Sequence, residues 1–237
     1  MGRLRRRLTL TLAAVLAIGV ALRAGPLWQS PLPFNPDGII HSVHAQSTVL
    51  AGELPLATIA TDDLLFTAFL ATLAEVTGLP PMLVAQPVSA VVGAVPVLVA
   101  AAVARRIARY NGWRRSRVVL VAVLAGALLA VEGLYLHRSM PVDEQTLGLL
   151  FVPLVVLAGA IAVDTGERRW IAITGVLLLA LPATHNLDSL VAAIALTGVA
   201  SLVVASGRRT AAYRAIVLGV VAWVALVGYT ALVAELT

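Results

Sequence analysis

One acid and two histidines, the side chains that could do chemistry, recur with a threonine at helical spacing in a short segment. Asp37, His41, His44 and Thr48 follow one another at i, i+4, i+7 and i+11, which places them on one face of a helix. A carboxylate beside two imidazoles can act as a general base or bind a metal ion. The alternative is a solvated helix face on which Asp37 merely favours the helix start. We predict that Asp37 is catalytic and that His41 and His44 bind substrate.

A pair of acids, Asp62 and Asp63, directly precedes the apolar stretch 64–79. Adjacent carboxylates can hold a divalent metal ion that bridges phosphate groups. Capping of the following helix and a favourable interaction with its dipole would equally explain them. The pair therefore predicts a metal site, with capping left open.

Two later segments add candidates for substrate binding. His137 and Arg138 precede an acidic pair, and the planar guanidinium of an arginine matches the geometry of a phosphate. Pairing of Arg138 with Asp143 or Glu144 is the alternative. His185 and Asp188 lie in the connection between two apolar runs, where the alternative is that Asn186 or Asp188 caps the next helix.

These side chains must be positioned by a membrane domain. The chain has 237 residues, 60% of them hydrophobic, and its mean hydropathy is +0.96. A soluble fold of this size could not bury so much apolar surface, so the composition predicts an all-α, polytopic membrane helical bundle in one domain, 1–237. The expected transmembrane helices lie near 8–25, 82–104, 118–136, 148–163, 170–184, 189–205 and 215–234.

The arginines predict the orientation of these helices. The chain carries a net charge of +5 and has no cysteine, which excludes thiol chemistry and disulfides. All arginines except Arg23 and Arg138 lie in short blocks beside apolar runs, so they indicate topology and no nucleic-acid partner. We expect a cytoplasmic N-terminus with an uncleaved anchor, in the plasma membrane. The loop 26–63 is then external, and 64–79 is an interfacial helix.

These features resemble the GT-C superfamily of membrane glycosyltransferases. The resemblance rests on one span followed by a long external loop, and on loose motifs within that loop. The motifs are Asn35-Pro36-Asp37-Gly38, His41 with His44, Gly52-Glu53-Leu54-Pro55 and Thr77-Gly78-Leu79-Pro80. The resemblance implies seven spans and interfacial helices in the first external loop. It also implies transfer of a sugar from a polyprenyl-phosphate carrier on the outer face, with Asp37 as the catalytic acid and a divalent metal as a cofactor.

Two other classes of function remain open on the sequence. A transporter component would need broken helices, which Pro96, Pro153 and Gly126 could supply. A non-catalytic membrane scaffold would leave the external acids and histidines apart in space. Many GT-C relatives continue beyond a membrane module, so we also expect a fragment or a reduced member. The bilayer is the one partner that the composition itself predicts.

Overall fold

The computed structural model describes residues 2–54 and 63–235. In these two ranges the chain forms eleven α-helices and no strand, which confirms the all-α prediction. The helices are α1 (Gly2–Arg23), α2 (Pro36–Ala51), α3 (Leu64–Thr77), α4 (Pro81–Ala94), α5 (Pro96–Tyr110), α6 (Arg115–Val131), α7 (Gly133–Ser139), α8 (Glu144–Thr165), α9 (Arg168–Ala180), α10 (Asn186–Ala205) and α11 (Arg209–Ala234). A short 3-10 helix, Gly25–Trp28, follows α1.

Four of the described helices are long and apolar enough to cross a membrane. They are α4 with α5 as one 30-residue helix, α8, α10 and α11, and they match four of the seven predicted spans. The predicted spans 8–25 and 170–184 also form helices. However, the apolar part of α1 is Leu8–Arg23 and α9 has 13 residues, about 20 Å at 1.5 Å per residue, against about 30 Å of hydrocarbon.

The predicted span 118–136 is bent. Helices α6 and α7 meet at 62°, and together they would make a fifth crossing. Glu132 stands at the break with an extended backbone, and its carboxylate accepts hydrogen bonds from the amides of Leu134 and Tyr135. The bend therefore has a local cause, because this side chain caps a new helix where the old one ends.

The stretch 64–79 forms the short helix that the sequence predicts. Helix α3 has 14 residues, packs against α2 and α4, and ends at Gly78 with φ of 69°. Pro80 and Pro81 follow, and Pro81 opens α4. Proline at the first position of a helix costs no hydrogen bond, so α4 can begin directly after α3 ends.

The bundle has two ends of different chemistry. At one end, which we call the arginine end, the connections 105–117, 164–169 and 206–214 meet. There Asp164 pairs with Arg106, and its Oδ1 lies 3.1 Å from Nη1 of Arg208. The start of α8 lies at the other end, and its 22 residues span about 33 Å.

One arginine is buried inside the bundle. Arg23 is fully inaccessible to solvent; its Nε donates to Ser139 Oγ at 2.8 Å and its Nη1 donates to the Gly19 carbonyl at 2.9 Å. Its guanidinium also lies 5.0 Å from the centre of the Tyr135 ring. The cation thus joins the end of α1 to α7, although the two are distant in sequence.

Candidate functional site

Helix α2 is fixed against the start of α8 by a clamp between the Asn35 side chain and the Val142 backbone. The Asn35 Nδ2 donates to the Val142 carbonyl at 2.9 Å, and Asn35 Oδ1 accepts from the Val142 backbone N–H at 3.1 Å. Gly38 sits under this clamp, where a Cβ atom would lie 2.7 Å from the Cβ atoms of Pro33 and Val142. The first loop is therefore held tightly to a segment more than a hundred residues away, and this contact sets the position of His41.

His41 is the centre of the site. It is 3% exposed; its Nε2 lies 3.0 Å from Oε2 of Glu144, and its Nδ1 lies 3.9 Å from Oδ2 of Asp63. The edge of the ring packs against Phe66, with ring centres 5.1 Å apart. Two carboxylates from different elements thus flank one buried imidazole, above an apolar floor.

A second histidine extends the site to α10. Nδ1 of His185 lies 2.8 Å from Oδ2 of Asp188, and its Nε2 lies 4.0 Å from Oε1 of Glu144. The Asp188 carboxylate packs onto the backbone of α8 at Gly148, where a Cβ atom would come within 1.8 Å of it. A glycine is therefore required at Gly148 for the two helices to approach at this point.

We call the whole group the acid–histidine cluster. It is a set of six mostly buried side chains that four segments of the chain bring together, namely His41, Asp63, Asp143, Glu144, His185 and Asp188.

Proton affinities in the cluster are shifted by burial and by neighbouring charges. Burial alone lowers the pKa of His41, but the hydrogen bond to Glu144 and the charges of Asp63, Glu144 and Asp143 outweigh it and raise the pKa. Burial raises the pKa of Asp143 to about 7, and its hydrogen bond to Glu144 acts in the same direction. Asp143 also caps α8, since its side chain accepts from the Gln145 amide. Burial and neighbouring charges thus raise the pKa values of both His41 and Asp143 above their ordinary values.

Part of the cluster can hold a metal ion. One ligand atom from each of His41, Asp63 and Glu144 lies within 4.8 Å of the other two. Nδ1 of His41 is buried without a hydrogen-bond partner, and it is directed towards the Asp63 carboxylate at a distance too long for a hydrogen bond. An ion between imidazole and carboxylates would satisfy that nitrogen. Asp62, predicted as the second metal ligand, lies outside the described residues.

Other predicted residues lie around the cluster or away from it. Asp37 is exposed in the first turn of α2. His44 is half-buried, and burial followed by the charge of His41 lowers its pKa. His137 and Arg138 are exposed on α7, and Arg138 Nη1 lies 3.5 Å from Oε1 of Gln145 instead of pairing with an acid of the cluster. The structure therefore gathers His41, Asp63, His185 and Asp188, but not Asp37 or Arg138.

Glu144 is the residue of the candidate site that sequence reasoning missed. The sequence presented it with Asp143 only as a partner for Arg138. A signal was present, because two adjacent acids directly before a long apolar run place carboxylates at a membrane boundary. Both of its oxygens face histidines, His41 and His185.

Comparison with known proteins identifies no family for the chain. No protein-family model, no curated protein and no solved structure matches the chain. The function is therefore argued from the site itself.

Proposed function

We propose that this chain is a membrane glycosyltransferase-like protein that transfers a sugar from a polyprenyl-phosphate carrier at the acid–histidine cluster. One observation carries the proposal: four separate segments bring four acids and two histidines together around the buried pair of His41 and Glu144. A scaffold has no need for such convergence, because buried ionisable groups are costly unless they serve one another or a ligand.

The proposed reaction needs a base and a way to neutralise phosphate. The bond between the anomeric carbon and the carrier phosphate breaks, a bond to the acceptor oxygen forms, and the acceptor proton passes to a carboxylate. Asp37 is our candidate for that base: it lies outside the cluster, but it is exposed one helical turn before His41 on α2, where an acceptor at the edge of the cluster would meet it. A divalent metal ion held by His41, Asp63 and Glu144 would neutralise the leaving phosphate.

Polar and charged side chains in and around the cluster would bind the rest of the donor. Arg138 is exposed next to the start of α8, where it can reach a phosphate oxygen. His44, His137, His185 and Asp188 complete the proposed donor-binding group. The resemblance to GT-C enzymes supports the choice of Asp37 as the base, because they keep a catalytic acid at the position that Asp37 occupies in the first external loop.

The arginine end supports an orientation for the reaction. Positively charged connections remain on the cytoplasmic side, so we place the arginine end inside and the cluster at the outer face of the plasma membrane. On this topology the N-terminus is cytoplasmic and the chain crosses several times. The donor lipid would reach the cluster from the outer leaflet.

The test measures donor consumption by the purified protein. A panel of polyprenyl-phosphate hexoses is incubated with the detergent-solubilised chain and Mn²⁺, and release of polyprenyl phosphate is followed. We expect Asp37→Asn to lower the rate by at least about 100-fold, the usual contribution of a general base. Glu53→Gln is the matched control, because Glu53 is an exposed acid just after the same helix, and it should keep the parent rate.

A second measurement separates the metal from the base. Mn²⁺ binding, followed by electron paramagnetic resonance, should be lost in His41→Gln and Glu144→Gln but kept in Asp37→Asn. The transferase assignment is wrong if the parent consumes no donor of the panel or if Asp37→Asn consumes it at the parent rate. Solute flux through proteoliposomes in that case would favour a transporter component, and absence of both activities would favour a scaffold.

A further inference from the structure

A cavity of about 590 Å³ opens between helices at the arginine end. It lies far from the acid–histidine cluster, because its residues come from the last turns of α5 and α8 and from the start of α9. Arg105, Arg106 and Arg109 line one side of it. These residues are spaced i, i+1 and i+4, so they share one face of α5.

The lining of the cavity is divided between charge and hydrocarbon. Towards the membrane it consists of apolar side chains, among them Leu157 and Ile161 of α8. Towards the aqueous side it presents the three arginines, with Asp164 as the one acid, so the lining carries a net charge of +2 (three positive, one negative). A ligand that matches both halves must be anionic at one end and apolar at the other.

Asp164 does not neutralise the cavity. Its two carboxylate oxygens are divided between Arg106 inside the cavity and Arg208 on the neighbouring connection. One negative charge therefore faces two guanidinium groups there, and positive charge remains in excess. The shared carboxylate also holds Arg106 in place, so its planar donors are oriented before a ligand arrives.

Two aromatic residues mark the depth of the cavity. Tyr110 and Trp170 line it beside the arginines. Tyrosine and tryptophan concentrate at the level of lipid headgroups, where one part of the ring is apolar and the other wet. The arginines thus sit at headgroup level, and the apolar wall lies at the level of acyl chains.

We propose that this cavity binds an anionic phospholipid of the adjoining leaflet. The phosphate is held by Arg105, Arg106 and Arg109, and an acyl chain lies along Leu157 and Ile161. Basic pockets between transmembrane helices are suited to such headgroups. The positive-inside rule depends only on how many positive charges a connection carries. It does not explain why three of these arginines share one helix face and line a cavity. This site is independent of the proposed transferase activity.

The same connection offers a matched control. Arg114, Arg115 and Arg117 are exposed and do not line the cavity, yet they carry the same charge as the three cavity arginines. Replacing either trio by glutamine therefore removes three positive charges from one connection. Only one of the two replacements changes the cavity.

Native mass spectrometry of the full chain tests the proposal. The protein is equilibrated with equal amounts of phosphatidylglycerol and phosphatidylcholine, and the lipid retained after delipidation is counted. We expect the parent to retain phosphatidylglycerol at least about 5-fold over phosphatidylcholine, about what one basic residue contributes towards an anionic lipid. The Arg105→Gln, Arg106→Gln, Arg109→Gln triple variant should lose this preference, and the Arg114→Gln, Arg115→Gln, Arg117→Gln variant should keep it.

A third variant tests the apolar half of the site. Leu157→Trp fills the acyl wall without changing charge, and it should lower retention while leaving the thermal midpoint in detergent near that of the parent. The proposal is overturned if the parent shows no headgroup preference or if both arginine triples lose it equally. It is also overturned if excess inorganic phosphate displaces the lipid while Leu157→Trp retains it, since the cavity would then be a simple anion site.

Discussion

The acid–histidine cluster is rich in acids and mostly buried, whereas the arginine end is rich in positive charge and partly exposed to solvent. His41 is 3% exposed, and its hydrogen-bond partner Glu144 lies 103 residues further along the chain. The Arg106 and Asp164 side chains, by contrast, are 38% and 31% exposed. Buried polar groups depend on one another, because water cannot replace a lost partner. Exposed ion pairs contribute little, because water and counterions replace a lost partner readily.

The largest effect is expected from removing the carboxylate at the centre of the cluster. Glu144→Leu leaves the buried imidazole of His41 without its hydrogen-bond partner, so we expect a loss of about 2 kcal/mol in the free energy of unfolding. Unfolding by sodium dodecyl sulfate in mixed micelles measures it. Glu75→Leu, an exposed acid on α3, is the control and should change stability by less than about 0.5 kcal/mol. Equal losses in the two variants would contradict the difference between buried and exposed charges.

An intermediate effect is expected from pH, measured in protein kept metal-free with a chelator. The folded pKa of Asp143 is raised to about 7, so between about pH 4 and 7 the folded state holds a proton that the unfolded state has released. Stability therefore falls as pH rises through this window. The raised pKa of His41 continues the fall at higher pH. The charges of Asp63 and Glu144 raise the pKa of His41, whereas His44, whose pKa is lowered, contributes stability that increases with pH.

Comparison of parent and Asp143→Asn isolates this contribution. Asparagine keeps the helix cap but does not titrate, so the fall in unfolding free energy between pH 5 and 7 should shrink by about 1–2 kcal/mol. A steeper fall in Asp143→Asn would show that the assigned direction is wrong.

The smallest effect is expected at the arginine end. Arg106→Gln breaks a partly exposed ion pair, and Arg208 remains beside Asp164, so the loss should stay below about 1 kcal/mol. Added salt should reduce it further, because exposed pairs are screened. A double-mutant cycle between Arg106→Gln and Asp164→Asn gives the coupling energy. A coupling of several kcal/mol would show that this pair is as buried as the cluster.

Much of the fold could be predicted from local pattern. The helical spacing that put Asp37, His41 and His44 on one stripe corresponds to α2, and the prolines at 80 and 81 do end the short helix α3. The 62° bend between α6 and α7 could not be predicted from hydropathy, which averages composition over a window. That bend depends on one side chain, Glu132, binding the amides of the next turn.

The candidate site was only half predictable for a similar reason. His41 and Glu144 are 103 residues apart, and no local pattern pairs them. Their contact depends on the Asn35 clamp and on the close approach at Gly148, both of which are tertiary. The stripe on α2 therefore identified the correct helix, but it ranked exposed Asp37 above the histidine that the fold buries.

The buried position of Arg23 has a consequence for biogenesis. Its hydrogen-bond partner Ser139 is 116 residues further along the chain, and the carbonyl of Ala130 beside it is 107 residues away. At about 5–20 residues per second, a ribosome needs roughly ten seconds to make that stretch. Helix α1 must therefore wait with a solvated guanidinium at its end until α6 and α7 emerge. The contacts that bury Arg23 can therefore form only after α6 and α7 have been made, long after α1 itself.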